Sequence, residues 1–156
     1  MKLLETQTTA AECAAALLDV VPQVMRVVRA EMRSHRGGEL SVPQFRALAY
    51  LDRYPGSPLL AVAAHLGLTP PSMSKLIDGL IARRLVSRQE SAADRRRITL
   101  ALTAQGRSTL ERTRRYTRLH LAEALATLAA PERATVVEAL AILRRTFSIE
   151  GKEEGR

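Results

Sequence analysis

Two groups of residues carry side chains and spacings that could do chemistry. Asp94, Arg95, Arg96 and Arg97 follow one another directly. Four adjacent charges are costly to bury, so this run must face water or an anion. Pro71, Ser72, Ser74 and Lys75 form the second group, beside a start of the type Thr69-Pro70. Their hydroxyls and ammonium can reach phosphate oxygens or base edges, and the unsatisfied N–H groups of a helix start favour a phosphate in addition. Nothing comparable supports catalysis. His35, His65 and His120 are widely spaced, and the chain has no Cys-x-x-Cys, no His-Glu-x-x-His and no glycine-rich phosphate loop. Neither an enzyme, a metal site nor a cofactor is therefore expected. Cys13 is the single cysteine, which excludes an internal disulfide framework and is compatible with a reducing compartment.

Charge singles out the same region. The formal net charge of the 156 residues is +8, and residues 75–118 hold twelve Lys or Arg against four Asp or Glu, so this block accounts for the whole excess. A field focused in this way suits nucleic acid, since each neutralised phosphate releases condensed counterions. Five aromatics and no tryptophan leave Leu, Val, Ile, Ala and Met to build the core, which favours helix packing over a β-sandwich. The length suits one well-packed domain. No apolar run approaches the roughly 20 residues that span a bilayer, and the N-terminus lacks a basic region followed by a continuous apolar stretch, so a cytoplasmic protein without membrane contact is expected.

The elements that must position these groups follow from periodicity and caps. Residues 9–35 place Leu17, Leu18, Val21, Val24, Met25, Val28 and Met32 at helical spacing, with a kink or a break expected at Pro22 and an end at Gly37-Gly38. Ser41-Val42-Pro43-Gln44 reads as a capping box opening a helix that buries Phe45, Leu48 and Leu51 and stops at Tyr54-Pro55-Gly56. Ser57-Pro58 reads as a cap and first residue of a short helix to Leu66, and Thr69 caps another from Pro70 to about Arg84. Ala63 and Gly67, four apart, lie among Val62, Leu66, Leu68, Met73 and Leu76. That pattern suits a helix-turn-helix: a small residue lets the helices approach, and glycine accepts the positive φ of the turn. Leu85 to Gln89 forms one strand, and Ile98, Leu100 and Leu102 alternate with Thr99, Ala101 and Thr103 in a half-buried second one, so Asp94 to Arg97 fall near the tip of a hairpin. Thr103 caps a long helix to about Ala129, with Leu110, Leu119, Leu125 and Leu128 on one side. Pro131 opens a last helix carrying Val136, Val137, Leu140, Leu143 and Phe147.

Helix-turn-helix followed by a basic hairpin is a winged helix. The strings LGLTPPSMSKLIDGLIARRLVSR (66–88) and DRRRITLALTAQG (94–106) resemble the MarR family of bacterial transcriptional regulators, and the likeness extends over about residues 9–148. The fold expected is mainly α with a small β-hairpin wing (α+β): a winged helix-turn-helix over residues 41–103, flanked by dimerisation helices at 9–35 and 104–148. The resemblance implies that Arg96 enters the minor groove, that Asp94 orients its guanidinium, that Arg95 and Arg97 serve phosphates, and that Pro71, Ser72, Ser74 and Lys75 read the major groove of double-stranded DNA. One departure stands out. Arg84 occupies a position where many relatives have glycine, which puts the end of the recognition helix in doubt, because a non-glycine residue at positive φ costs about 1 kcal/mol.

Helices as apolar as the two outer ones need something to pack on. In relatives they interlock two subunits, which implies a homodimer on a pseudo-palindromic operator with recognition helices about 34 Å apart. A crevice lined by Met25, Met32, Phe45 and Tyr116 and rimmed by Arg26, Arg29, Arg112 and Arg115 would suit a small aromatic ligand, the effector class of the family. The function expected is a homodimeric, sequence-specific repressor released by such a ligand. Two alternatives stand beside it: a winged-helix scaffold that binds protein and not DNA, and a regulator that senses oxidation through Cys13. Concentration of the net charge on the recognition helix, the wing and the adjoining helix argues against the scaffold.

Overall fold

A computed structural model describes residues 8–34, 40–91, 94 and 97–147. The elements in chain order are α1 (Ala10–Ser34), α2 (Val42–Arg53), α3 (Leu59–Leu66), α4 (Pro70–Ala82), β1 (Val86–Glu90), β2 (Ile98–Leu102), α5 (Ala104–Leu125) and α6 (Ala130–Phe147). This is the mainly helical winged helix expected from the sequence.

Local chemistry accounts for most of the helix starts. The Ser41 hydroxyl accepts from the Gln44 backbone N–H while the Gln44 side-chain oxygen Oε1 accepts from the Ser41 N–H, the reciprocal box that begins α2. Thr69 caps α4 by accepting from the Ser72 N–H. A box that the sequence reading had not identified opens α1: the Thr9 N–H (2.7 Å) and then its hydroxyl (3.0 Å) donate to Glu12, which holds that carboxyl below the usual carboxylate range. Pro22 lies inside α1 without splitting it into two helices. Gly37, Gly38 and His35 lie outside the described residues.

The start of α3 differs from expectation. Pro58, not Ser57, is its N-cap, and it makes no side-chain hydrogen bond. Ser57 is engaged elsewhere: its hydroxyl donates to the Tyr54 carbonyl at 2.7 Å, and its backbone carbonyl accepts from the Leu100 N–H at 2.9 Å. The bridge to Leu100 adds a third short strand position beside the hairpin. Gly67 has φ 69, the left-handed turn that joins α3 to α4.

The hairpin is antiparallel, pairing Val86 with Leu102, Arg88 with Leu100 and Glu90 with Ile98. Its base lies on a core of Leu40, Ala47, Leu48, Leu51, Val62, Ala63, Leu66, Met73, Ile77, Leu80, Leu85, Val86, Leu100 and Leu110. The alternation of β2 is only partly a burial pattern. Leu100 is buried, but Ile98 is 58% exposed, because the strand has passed the edge of the core by that point.

Two contacts lock α5 to the end of α4. Thr103 caps α5, its hydroxyl donates to the Arg84 carbonyl at 2.6 Å, and its N–H donates to the Leu85 carbonyl at 3.1 Å. Arg84 has φ 58, the left-handed conformation that its departure from glycine had put in question, and α4 ends before it at Ala82. The long helix stops at Leu125 instead of about Ala129, and α6 buries no residue within the chain.

Candidate nucleic-acid interface

The core side of α4 is set by Met73, Ile77 and Leu80, all buried. Its opposite face therefore carries Pro71, Ser72, Lys75, Asp78 and Ala82, which are exposed at helical spacing, with Ser74 half-buried at the border. Pro70 and Pro71 have no N–H to offer, and the Ser72 N–H is taken by the Thr69 hydroxyl at 3.4 Å, a hydroxyl that in turn donates to Ser72 Oγ at 3.0 Å. The ammonium of Lys75 and the hydroxyl of Ser72 thus stand on a solvent-facing surface one turn apart.

Beside this face, β1 places Val86, Arg88 and Glu90 on one side of the hairpin. Val86 is buried against the core, and Arg88 Nη2 reaches Asp78 Oδ1 of α4 at 2.5 Å. The loop is closed by the Arg97 N–H donating to the Asp94 carbonyl at 2.9 Å and the Ser91 N–H donating to the Arg97 carbonyl at 2.9 Å. Asp94 and Arg97 are exposed; Arg95 and Arg96 lie outside the described residues.

A separate concavity of about 580 Å³ opens between α1, α2 and α5. Met25, Met32 and Phe45 line it as expected, together with Leu121 and Thr117. Tyr116 does not line it; that ring stacks on His120 with centroids 4.1 Å apart. Nor do Arg26, Arg29, Arg112 or Arg115 form its rim, which is supplied by Arg46, Arg114 and Arg118. Arg114 is held at 2.6 Å by Glu111 and at 3.3 Å by Asp52, and Arg46 donates to the His65 carbonyl at 3.3 Å. Thr117 Oγ1 is buried and has no hydrogen-bond partner among the described residues.

The Glu111–Arg114 pair was legible from its three-residue helical spacing, whereas the reach of Arg114 to Asp52 and of Arg88 to Asp78 depends on packing between elements. Cys13 is exposed on α1. Among the described residues no three His, Cys, Asp or Glu side chains gather as metal ligands would, and no helix is long and apolar enough to cross a membrane.

Comparison with known proteins agrees with this geometry. The MarR family model matches residues 39–97. The HTH-type transcriptional repressor Rv2887 of Mycobacterium tuberculosis is 32% identical over 93 residues, which span 60% of this chain and 67% of that protein. Among solved structures, the transcriptional repressor CouR bound to a 23-mer DNA duplex superposes with a TM-score of 0.69 at 26% identity, covering 88% of this chain and 99% of that one. RV1404 from Mycobacterium tuberculosis shares the fold at a TM-score of 0.77 and 24% identity, over 90% of this chain and 95% of its own. A helix-turn-helix, a hairpin closed on Asp94 and Arg97, and a relative matched over two thirds of its length agree: the chain belongs to the MarR family of transcriptional regulators, not to a family of enzymes.

Proposed function

We propose that this protein is a homodimeric, sequence-specific DNA-binding repressor that leaves a pseudo-palindromic operator when a small aromatic or phenolic acid binds. The observation that carries the reading is the exposed face of α4, with Ser72 and Lys75 beside a hairpin that belongs to the basic block 75–118. On this reading Pro71, Ser72, Ser74 and Lys75 meet the major groove, Arg96 the minor groove with Asp94 orienting it, and Arg95 and Arg97 the phosphates. The likeness to CouR, solved on a DNA duplex, supports it.

Dimerisation rests on surface that one chain leaves uncovered. Leu18, Val21 and Val24 of α1, Leu119 and Leu125 of α5, and Val136, Val137, Leu140 and Phe147 of α6 are all exposed large hydrophobics. Large apolar side chains left to water on three helices point to an association site. A twofold interface built from it sets two recognition helices about one DNA turn, roughly 34 Å, apart. Ligand release rests on the concavity between α1, α2 and α5: its size falls in the range of small-molecule sites, its walls are apolar, three guanidinium groups rim it, and the Thr117 hydroxyl has no hydrogen-bond partner among the described residues.

The test is a gel shift with a duplex selected by the protein from a random-sequence pool. Contact with six or more phosphates lowers affinity by roughly 1,000-fold or more between about 50 and about 200 mM salt, and salicylate or a related acid should then weaken the remaining binding. Absence of any selected duplex, or binding indifferent to salt, would overturn the DNA reading. A broad panel of aromatic acids that shifts neither affinity nor thermal stability would overturn ligand release.

A further inference from the structure

Asp78 presents a problem for a surface that meets phosphates. It is exposed on the same face of α4 as Ser72 and Lys75, where an unbalanced carboxylate would repel DNA. Its charge is answered by Arg88, reaching across from β1 at 2.5 Å. We propose that the Asp78–Arg88 pair is a clasp that sets the angle between the recognition helix and the hairpin, so that both reach DNA in register; the proposal rests on the DNA-binding reading.

The position of the pair is what gives it this task. Toward its base the hairpin is fixed by the core: Leu85 and Val86 are buried, and Leu100, the cross-strand partner of Arg88, is buried and held to Ser57 by a backbone hydrogen bond. Beyond that rung Gln89, Glu90 and Ile98 are exposed, and a two-stranded ribbon without a buried face is free to twist and swing. Arg88 therefore stands at the last rung that the core holds. From there to Ser91 the strand extends about 10 Å at about 3.3 Å per residue. A swing of about 15° over that arm displaces the loop by about 2.6 Å, roughly the length of a hydrogen bond.

Stability is a poor explanation for the same pair. The side chains of Arg88 and Asp78 are 47% and 56% exposed, and ion pairs so open to water add little to folding. They can still bias a soft angle. A clasp of this strength shifts the population of the correct angle by up to about fivefold, and a dimer has two of them.

The experiment compares the full-length protein with Asp78→Asn and Asp78→Glu on two duplexes of equal length, one selected from a random pool by the wild type and one a scrambled version of it, at one salt concentration. Thermal unfolding of all three proteins should agree within about 2 °C. Asp78→Asn should lower the ratio of selected to scrambled affinity by about threefold or more, and Asp78→Glu, which keeps the anion, should restore it to within about twofold of wild type. If Asp78 is only a repulsive surface charge, or if Arg88 abandons it for a phosphate, Asp78→Asn strengthens binding to both duplexes together and leaves the ratio unchanged; either result overturns the clasp. A wild-type protein that selects no duplex overturns the DNA reading itself and the clasp with it, which is a separate outcome from an unchanged ratio.

Discussion

Replacing Gly106 by alanine should damage the joint between α5 and the DNA-facing module far more than one methyl group suggests. A Cβ built on Gly106 falls 2.0 Å from the Leu85 carbonyl oxygen, 2.9 Å from its carbonyl carbon and 3.2 Å from its Cα. All three are backbone atoms, so no side chain can rotate away. Ordinary carbon–oxygen contacts begin near about 3.3 Å, and the start of α5 must therefore retreat by more than about 1 Å. That movement is directed at the Leu85 carbonyl, which accepts from the Thr103 N–H at 3.1 Å, and at the packing of Leu85 and Leu110, both buried. Overpacking of this kind costs about 1–3 kcal/mol, and the weakened hydrogen bond adds about 0.5–1.5 kcal/mol. A loss of about 2–4 kcal/mol corresponds to a Tm lower by roughly 4–16 °C for a chain of this size. Thermal unfolding followed by circular dichroism, at equal protein concentrations, measures it. Gly79→Ala is the control. A Cβ there meets nothing within 4 Å, and removing glycine from a helix interior stabilises by about 1 kcal/mol, so the same chemical change should act with the opposite sign. A Gly106→Ala protein melting within about 2 °C of wild type would refute the close approach.

The left-handed Arg84, at φ 58, should be improved by glycine: Arg84→Gly is expected to raise stability by up to about 1 kcal/mol, while β-branched Arg84→Val should lower the Tm, both read by thermal unfolding. Arg96→Ala should weaken binding to a selected duplex by about 1–3 kcal/mol without changing the fold, and Asp94→Ala should act in the same direction; in a fluorescence anisotropy cycle the double variant should lose less than the two singles summed, and strict additivity would exclude the orienting role. Val137 and Leu140 are 68% and 58% exposed in one chain, so a monomer would tolerate Val137→Glu with Leu140→Glu almost without cost, whereas a dimer that buries them should dissociate or unfold. Sedimentation velocity distinguishes the two, and an unchanged species would place the dimer interface elsewhere.

Where the sequence was most legible, the controlling interactions are local. The box of Ser41 with Gln44, the Thr69 cap and the Gly67 turn each join residues within a few positions of one another, and α2 and α4 begin where those residues require. The core faces of α3 and α4 followed from helical period for the same reason. Ser57 was misread as a cap because its backbone is claimed by Leu100, a strand partner that no local rule could supply. Ile98 shows a different limit: alternation says which residues share a face, but not how far the core beneath that face extends. The arginines around the concavity failed similarly: the crevice expected from the resemblance had Tyr116 in its lining and Arg115 on its rim, whereas the packing of α2 on α5 brings Arg46 and Arg114 there instead.

The outer helices carry this reasoning one step further. Leu110 near the start of α5 is fully buried, whereas Leu125, about four turns on and close to the same side of the helix, is 44% exposed; Leu119, assigned to that side from the sequence, is about two and a half turns from Leu110 and so lies on the opposite side. Helical period alone does not distinguish Leu110 from Leu125, because it specifies an apolar face and not the surface that covers it. The difference lies in what stands opposite. Leu110 meets the core built by α2, α3, α4 and the base of the hairpin, while α6, with its apolar residues at helical spacing, buries none of them in this chain. An exposed helix gains little from carrying so much apolar surface, since water solvates it poorly and aggregation becomes a hazard. The half of the chain that closes its own core therefore accounts for the shape of the interface, and the half that does not accounts for why a second copy is proposed to complete it.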